Sequence, residues 1–131
     1  MQSLAYQTRK SHLRQLPELK LHDIAVLSLN AIGLDSSKAD DFIYDVNNIT
    51  CLLQKDGLDY RFVHDSVQEF YSASFVRDQE EAKKDFYEKY INDWHHWIPE
   101  FQFLKYIDEV AYNKYFLIPS FKDLSYIVRE H

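Results

Sequence analysis

Only two glycines, Gly33 and Gly57, stand in this 131-residue chain, beside three prolines. Glycine supplies the left-handed backbone of tight turns and proline the rigid turns, so a chain this poor in both cannot build the many hairpins of a sandwich or barrel. Ten Tyr, nine Phe and two Trp within a composition that is 46% hydrophobic provide apolar surface enough for a core at this length. The expected class is mainly α with a small β-hairpin. The same scarcity constrains chemistry, because neither a Walker A loop nor a dinucleotide fingerprint can be written with two widely separated glycines.

Leu4, Ala5, Leu13 and Leu16 recur at helical spacing and Pro17 stops the ladder, which predicts a helix over 4–15. A second helix is expected from about His22 or Asp23, carrying Ile24, Leu27, Leu29 and Ala31 and closing on Gly33 as a left-handed cap. Asp35, Ser36 and Ser37 offer N-caps to a third, whose Ala39, Phe42, Ile43 and Val46 share one stripe. Ile49 to Leu53 and Leu58 to His64 then read as strands around Gln54-Lys55-Asp56-Gly57, with Asp-Gly as the hairpin signal. Three helices followed by a hairpin is the order of a winged helix. Residues 1–64 are therefore expected to form a winged-helix-like domain, and residues 65–131 a helical region that continues as an α-helical bundle or begins a helical superstructure.

In that second region the stripe Val67, Phe70, Tyr71 and Ser74 marks one helix. Ala82, Phe86, Tyr90 and Trp94 mark another over about 79–97, which Pro99 ends. Phe101, Leu104, Ile107 and Ala111 begin a further one, and Phe121, Leu124, Ile127 and Val128 outline the last.

The net charge is -6. Residues 1–64 carry seven Lys/Arg against eight Asp/Glu, so neither half has the electrostatic footprint of a nucleic-acid binder. The cluster Arg9, Lys10 and Arg14 reads as a solvated face. Cys51, in the run Ile49-Thr50-Cys51-Leu52-Leu53, reads as a buried reduced thiol. No stretch is long and apolar enough for a membrane span, and the first residues lack the pattern of a signal peptide, which makes a cytoplasmic location and no membrane partner the expectation. His95-His96 project about 100° apart on a helix and do not chelate one metal as an i,i+4 pair would, so no metal site is expected.

The densest stretch is FVHDSVQEFYSASF, residues 62–75. A strand stops on His64, and a helix begins at once. Ser66 with Glu69, or Asp65 with Gln68, fits the spacing of a capping box that satisfies first-turn amides. Phe62, Val67, Phe70 and Tyr71 are the apolar anchors. His64, Asp65 and Ser66 contain a base, an acid and a nucleophile, but neighbours on one turn do not converge as a triad and no oxyanion element accompanies them, so no catalytic residue is assigned. His64 precedes a helix N-terminus, where free amides favour an anion and an imidazole could donate to a phosphate. The alternative is a histidine that only packs at the strand end, and Asp65 and Glu69 oppose an anion by charge.

The run Tyr60 to Ala73 resembles the end of the winged-helix domain in NACHT-type STAND NTPases, with a pattern Phe-x-His-x-Ser-Phe-Gln-Glu-Phe-x-Ala-Ala. Val63-His64-Asp65 is similar to the Met-His-Asp motif of related plant immune receptors. Val67 stands where the pattern has Phe and Ser72 where it has the first Ala. The resemblance covers roughly residues 4–78. It implies a non-catalytic regulatory and interaction segment of a signalling or defence NTPase, in which a P-loop nucleotide-binding domain is the partner and ADP or ATP is bound by the parent protein, with no cofactor in this segment. It also implies that His64 senses the β-phosphate of ADP in the closed state, and that release of the winged helix permits homo-oligomerisation. Two other readings stay open. One is a winged-helix DNA-binding regulator, against which Asp40, Asp41 and Asp45 on the third helix argue because that helix would face the major groove. The other is a helical adaptor with no nucleotide role.

Overall fold

The computed structural model describes residues 1–50 and 52–119. Cys51 and the expected helix over 121–128 lie outside the described residues. The chain divides into two compact units, Met1–Phe75 and a second from Val76 onward. The division falls inside a helix and not at 64/65, where the strand meets it, because Val67 and Tyr71 pack on the core of the first unit.

In the first unit the order is α1 (Gln2–Lys10), β1 (Leu16–Pro17), α2 (Glu18–Ala31), α3 (Ala39–Tyr44), β2 (Leu53–Asp56), β3 (Asp59–Phe62) and α4 (Asp65–Asp78). A single 3-10 turn, Ser36–Lys38, leads into α3, and a π-helical turn, Asp45–Ile49, follows it. The strands form an antiparallel sheet in the order β1-β3-β2. This is the winged-helix arrangement, mainly helical with a small sheet.

The sheet contains a strand that periodicity did not predict. The helix expected over 4–15 ends at Lys10, and Leu16–Pro17 instead pair with Tyr60 and Asp59. Two residues leave no alternation to read, and Pro17 is tolerated because β1 is an edge. The hairpin is shifted as well. Residues 45–49 stay helical, β2 runs through Lys55 and Asp56, and the loop is Gly57-Leu58, closed by the pair Asp56 and Asp59. Gly57 has φ +66 at the first loop position, the place where a two-residue hairpin with one left-handed residue demands glycine.

Helix ends follow the same physics. Gly33 (φ +75) closes α2: its N–H donates to the Asn30 carbonyl and the Leu34 N–H to that of Leu29 at 2.8 Å, a Schellman motif at the expected glycine. Helix α1 ends in the same way without glycine. His12 takes φ 60, its N–H donates to the Arg9 carbonyl, and the Leu13 N–H donates to the Thr8 carbonyl at 2.9 Å. A left-handed histidine costs about 1–2 kcal/mol relative to the right-handed conformation, so other contacts must hold this loop. Asp35 caps the turn before α3 by accepting from the Ser37 N–H at 2.9 Å.

The core of the first unit gathers Leu4, Leu16, Leu21, Leu53 and Phe62, each 2% exposed or less. Burying each such side chain is worth roughly 1.5–3 kcal/mol. Leu27, expected inside α2, is exposed, and Ala25 takes the buried position in a second cluster with Leu29 and Ala39.

The second unit is built from α5 (Glu80–Tyr90), α6 (Ile98–Ile107) and α7 (Glu109–Tyr112) around aromatic rings. Phe86 meets Trp97 edge-on at 5.1 Å and Phe101 at 5.2 Å. The helix expected to reach residue 97 stops at Tyr90, so Trp94 turns out to be half-exposed while Trp97 is buried. Pro99 sits in the first turn of α6, where its missing N–H costs nothing. Asp108 interrupts the next helix with φ -147 and pairs with the largely buried Lys83 at 2.9 Å. Burial alone would lower the pKa of Lys83, but its hydrogen bond and charge pairing with Asp108, joined by Glu80, outweigh burial and raise it. Burial pushes the pKa of Tyr87 far above the usual tyrosine value, helped by the charge of Asp108. The Tyr87 hydroxyl has no hydrogen-bond partner among the described residues.

The tyrosine therefore biases stability at high pH. Below its ordinary value of about 10 both folded and unfolded chains keep the proton. Above it only the unfolded chain ionises, and stability is lost as pH rises. Lys83 acts in the same direction. Tyr87→Phe is expected to be neutral or stabilising at pH 7 and to flatten the alkaline loss, as measured by urea unfolding across pH with tyrosinate absorbance as the readout.

Candidate functional site at the strand-to-helix junction

Phe62 ends β3 with its ring in the core, and the Val63 N–H still donates to the Leu52 carbonyl at 2.9 Å. His64 follows, and its carbonyl accepts from the amides of Val67 at 3.1 Å and Gln68 at 3.5 Å. His64 is thus the boundary residue of α4 through its backbone. Its side chain is exposed and makes no hydrogen bond among the described residues.

The side chains expected to cap this helix do other work. Gln68 is 1% exposed and every polar atom of its amide is engaged. Its Nε2 donates to Thr8 Oγ1 at 2.7 Å and to the Leu13 carbonyl at 2.9 Å, while its Oε1 accepts from Arg14 Nη1 at 2.7 Å. Glu69 Oε2 accepts from Arg14 Nη2 at 3.3 Å, and Asp65 lies 3.9 Å from Arg14 and 4.0 Å from Arg61. Ser66 is exposed and shares no hydrogen bond with His64. None of Asp65, Ser66, Gln68 and Glu69 caps the helix. The physical reason is that the loop after α1 arrives on this face with an open carbonyl, a hydroxyl and a guanidinium, which are better partners for a buried amide than the solvated first-turn amides.

The anchors divide in the same way. Val67 and Tyr71 pack on the core as expected, but Phe70 is 39% exposed, with Tyr71 edge-on at 5.9 Å. The buried side of α4 runs through Gln68, Ser72 and Phe75, not through Phe70. Inward-facing polar residues displace the apolar stripe by about one position. Phe75 stacks on Tyr6 at 4.8 Å, and Ser72 is fully buried with no partner for its hydroxyl among the described residues.

Arg14 and Arg9 were both expected on a solvated basic face. Arg9 is buried and Arg14 is bound into the junction, so of the three only Lys10 is exposed. The sequence offered no sign of the contacts made by Arg14, because its partners lie 54 and 55 residues away. Among the described residues no three His, Cys, Asp or Glu side chains gather as metal ligands. The junction therefore presents an exposed imidazole ahead of a helix N-terminus, beside two arginines balanced by two carboxylates.

Two substitutions separate these roles by equilibrium unfolding. Gln68→Ala leaves the Thr8 hydroxyl, the Leu13 carbonyl and Arg14 without their shared partner and is expected to lower stability by about 2–3 kcal/mol. Ser72→Ala removes a buried hydroxyl without a partner and is expected to raise stability by about 1 kcal/mol. No family model, curated protein or solved structure matches this chain.

Proposed function

We propose that this chain is a non-catalytic regulatory segment of a NACHT-like STAND NTPase, in which the first unit couples the nucleotide state of a P-loop domain to domain rearrangement. The observation that carries the reading is His64. It stands exposed, with an imidazole that has no hydrogen bond among the described residues, at the start of a helix whose Gln68 and Glu69 side chains are committed to the fold. A histidine retained for packing would be buried or bonded. One held out beside a helix N-terminus is available to a phosphate.

In this reading the P-loop domain holds ADP and docks on the first unit through His64. Exchange to ATP removes the contact and frees the winged helix to rotate, which permits a homo-oligomer to form. Rigidity of the junction matters here, because a ligand histidine on a loose turn would transmit nothing. Gln68 and Arg14 supply that rigidity by tying the helix start to the loop after α1. The parent protein is expected to act in the cytoplasm, in signalling or defence.

The DNA-binding alternative is disfavoured by α3 and the turn after it, which present Asp40, Asp41 and Asp45 where a groove-reading helix needs basic and polar side chains. The decisive test is nucleotide retention in a parent protein that contains the P-loop domain. His64→Ala is expected to increase ADP release about tenfold, in line with the loss of one charge-assisted hydrogen bond, and to raise basal activity. Unchanged retention, measured by chromatography of the bound nucleotide, contradicts the proposal.

A further inference from the structure

A cleft of about 460 Å3 opens where the end of α2 meets α3. Its apolar wall is made by Leu29, Leu34 and Phe42, and its rim by Asp35, Asp41, Asp45 and Lys38. The Schellman closure of α2 fixes this geometry, because the bond from the Leu34 N–H to the Leu29 carbonyl sets Leu34 beside Leu29. Leu34 is nevertheless 55% exposed. A leucine held rigidly open to water beside a recess is a surface that gains by being covered.

Charge decides what could cover it. Three carboxylates face one ammonium, a net rim charge of -2. Asp35 stays ionised to lower pH than an ordinary carboxyl because it accepts from Ser37. Asp40, on the same helix as Asp41, adds to the field and is 88% exposed. A nucleic-acid backbone is repelled by this arrangement. A second copy of the chain, with its net charge of -6, is repelled as well.

We propose that this cleft docks a basic amphipathic polypeptide segment, with an apolar side chain against Leu29, Leu34 and Phe42 and flanking Lys or Arg side chains on Asp35, Asp41 and Asp45. Three carboxylates on the rim favour a segment that carries several cations around its anchor. The proposal does not depend on the nucleotide-sensing role of His64, since no residue of the junction lines the cleft.

Fluorescence anisotropy of the full chain with a labelled amphipathic Leu/Lys peptide tests it, with a Leu/Glu peptide of the same apolar pattern as the comparison. Saturable binding of the Leu/Lys peptide alone is expected. The double substitution Asp41→Asn with Asp45→Asn is expected to weaken binding about fivefold, and Leu34→Ser to weaken it by a comparable factor. Asp23→Asn with Asp56→Asn, an equal charge change at exposed positions that do not line the cleft, should leave it unaltered. Far-ultraviolet circular dichroism establishes that each variant is folded. Failure of the Leu/Lys peptide to bind overturns the proposal, and so does binding that falls equally with the Asp23→Asn and Asp56→Asn pair, which marks diffuse attraction to an acidic protein. Loss of a dimer on Leu34→Ser, seen by sedimentation without peptide binding, assigns the cleft to self-association and also overturns it.

Discussion

The amide of Gln68 holds the first unit together at its least regular point. It is buried, neutral and fully bonded, and it joins the first turn of α4 to the end of α1, the Leu13 carbonyl and Arg14. The loop it receives contains His12 in the left-handed conformation, which an isolated chain would abandon for the right-handed one. Thr8 extends the network by donating to the Ala5 carbonyl at 2.7 Å. Because this loop delivers Leu16 and Pro17 to the edge of the sheet, the third strand depends on the same contacts. A partly satisfied network of this kind would be worse than an apolar one, and here every member has a partner.

That arrangement divides the stretch from Phe62 to Phe75 into two classes of residue. Phe62, Val67, Gln68, Glu69, Tyr71 and Phe75 face inward to the core or to Arg14. His64, Ser66 and Phe70 face outward. A regulatory contact can use the outward class without disturbing the inward one, and a rigid inward class lets the outward one report a partner's position. The second unit follows different physics, with a packed aromatic core and a largely buried ion pair between Lys83 and Asp108.

Much of the fold was legible in sequence because its signals are local. Gly33 and Gly57 marked their left-handed turns, Asp35 marked its cap, and the order of elements indicated a winged helix. The shortfalls have a common cause in contacts between distant residues. Strand β1 is too short for periodicity and exists only because Tyr60 and Asp59 receive it. Gln68 and Glu69 fit the spacing of a capping box, yet bond to residues 54 to 60 positions earlier. Phe70 looked like an anchor because apolar periodicity assumes an apolar buried face, whereas α4 turns Gln68 and Ser72 inward. His64 was legible as the exceptional residue of the stretch, although its exposure was not.

The fold is built so that it does not need the imidazole of His64. Thermal and urea unfolding of His64→Ala in this chain test it directly. A change in stability within about 0.5 kcal/mol is expected, as for a surface position without a structural role. A loss of about 2 kcal/mol or more would contradict it, by placing His64 among the residues that hold the junction together.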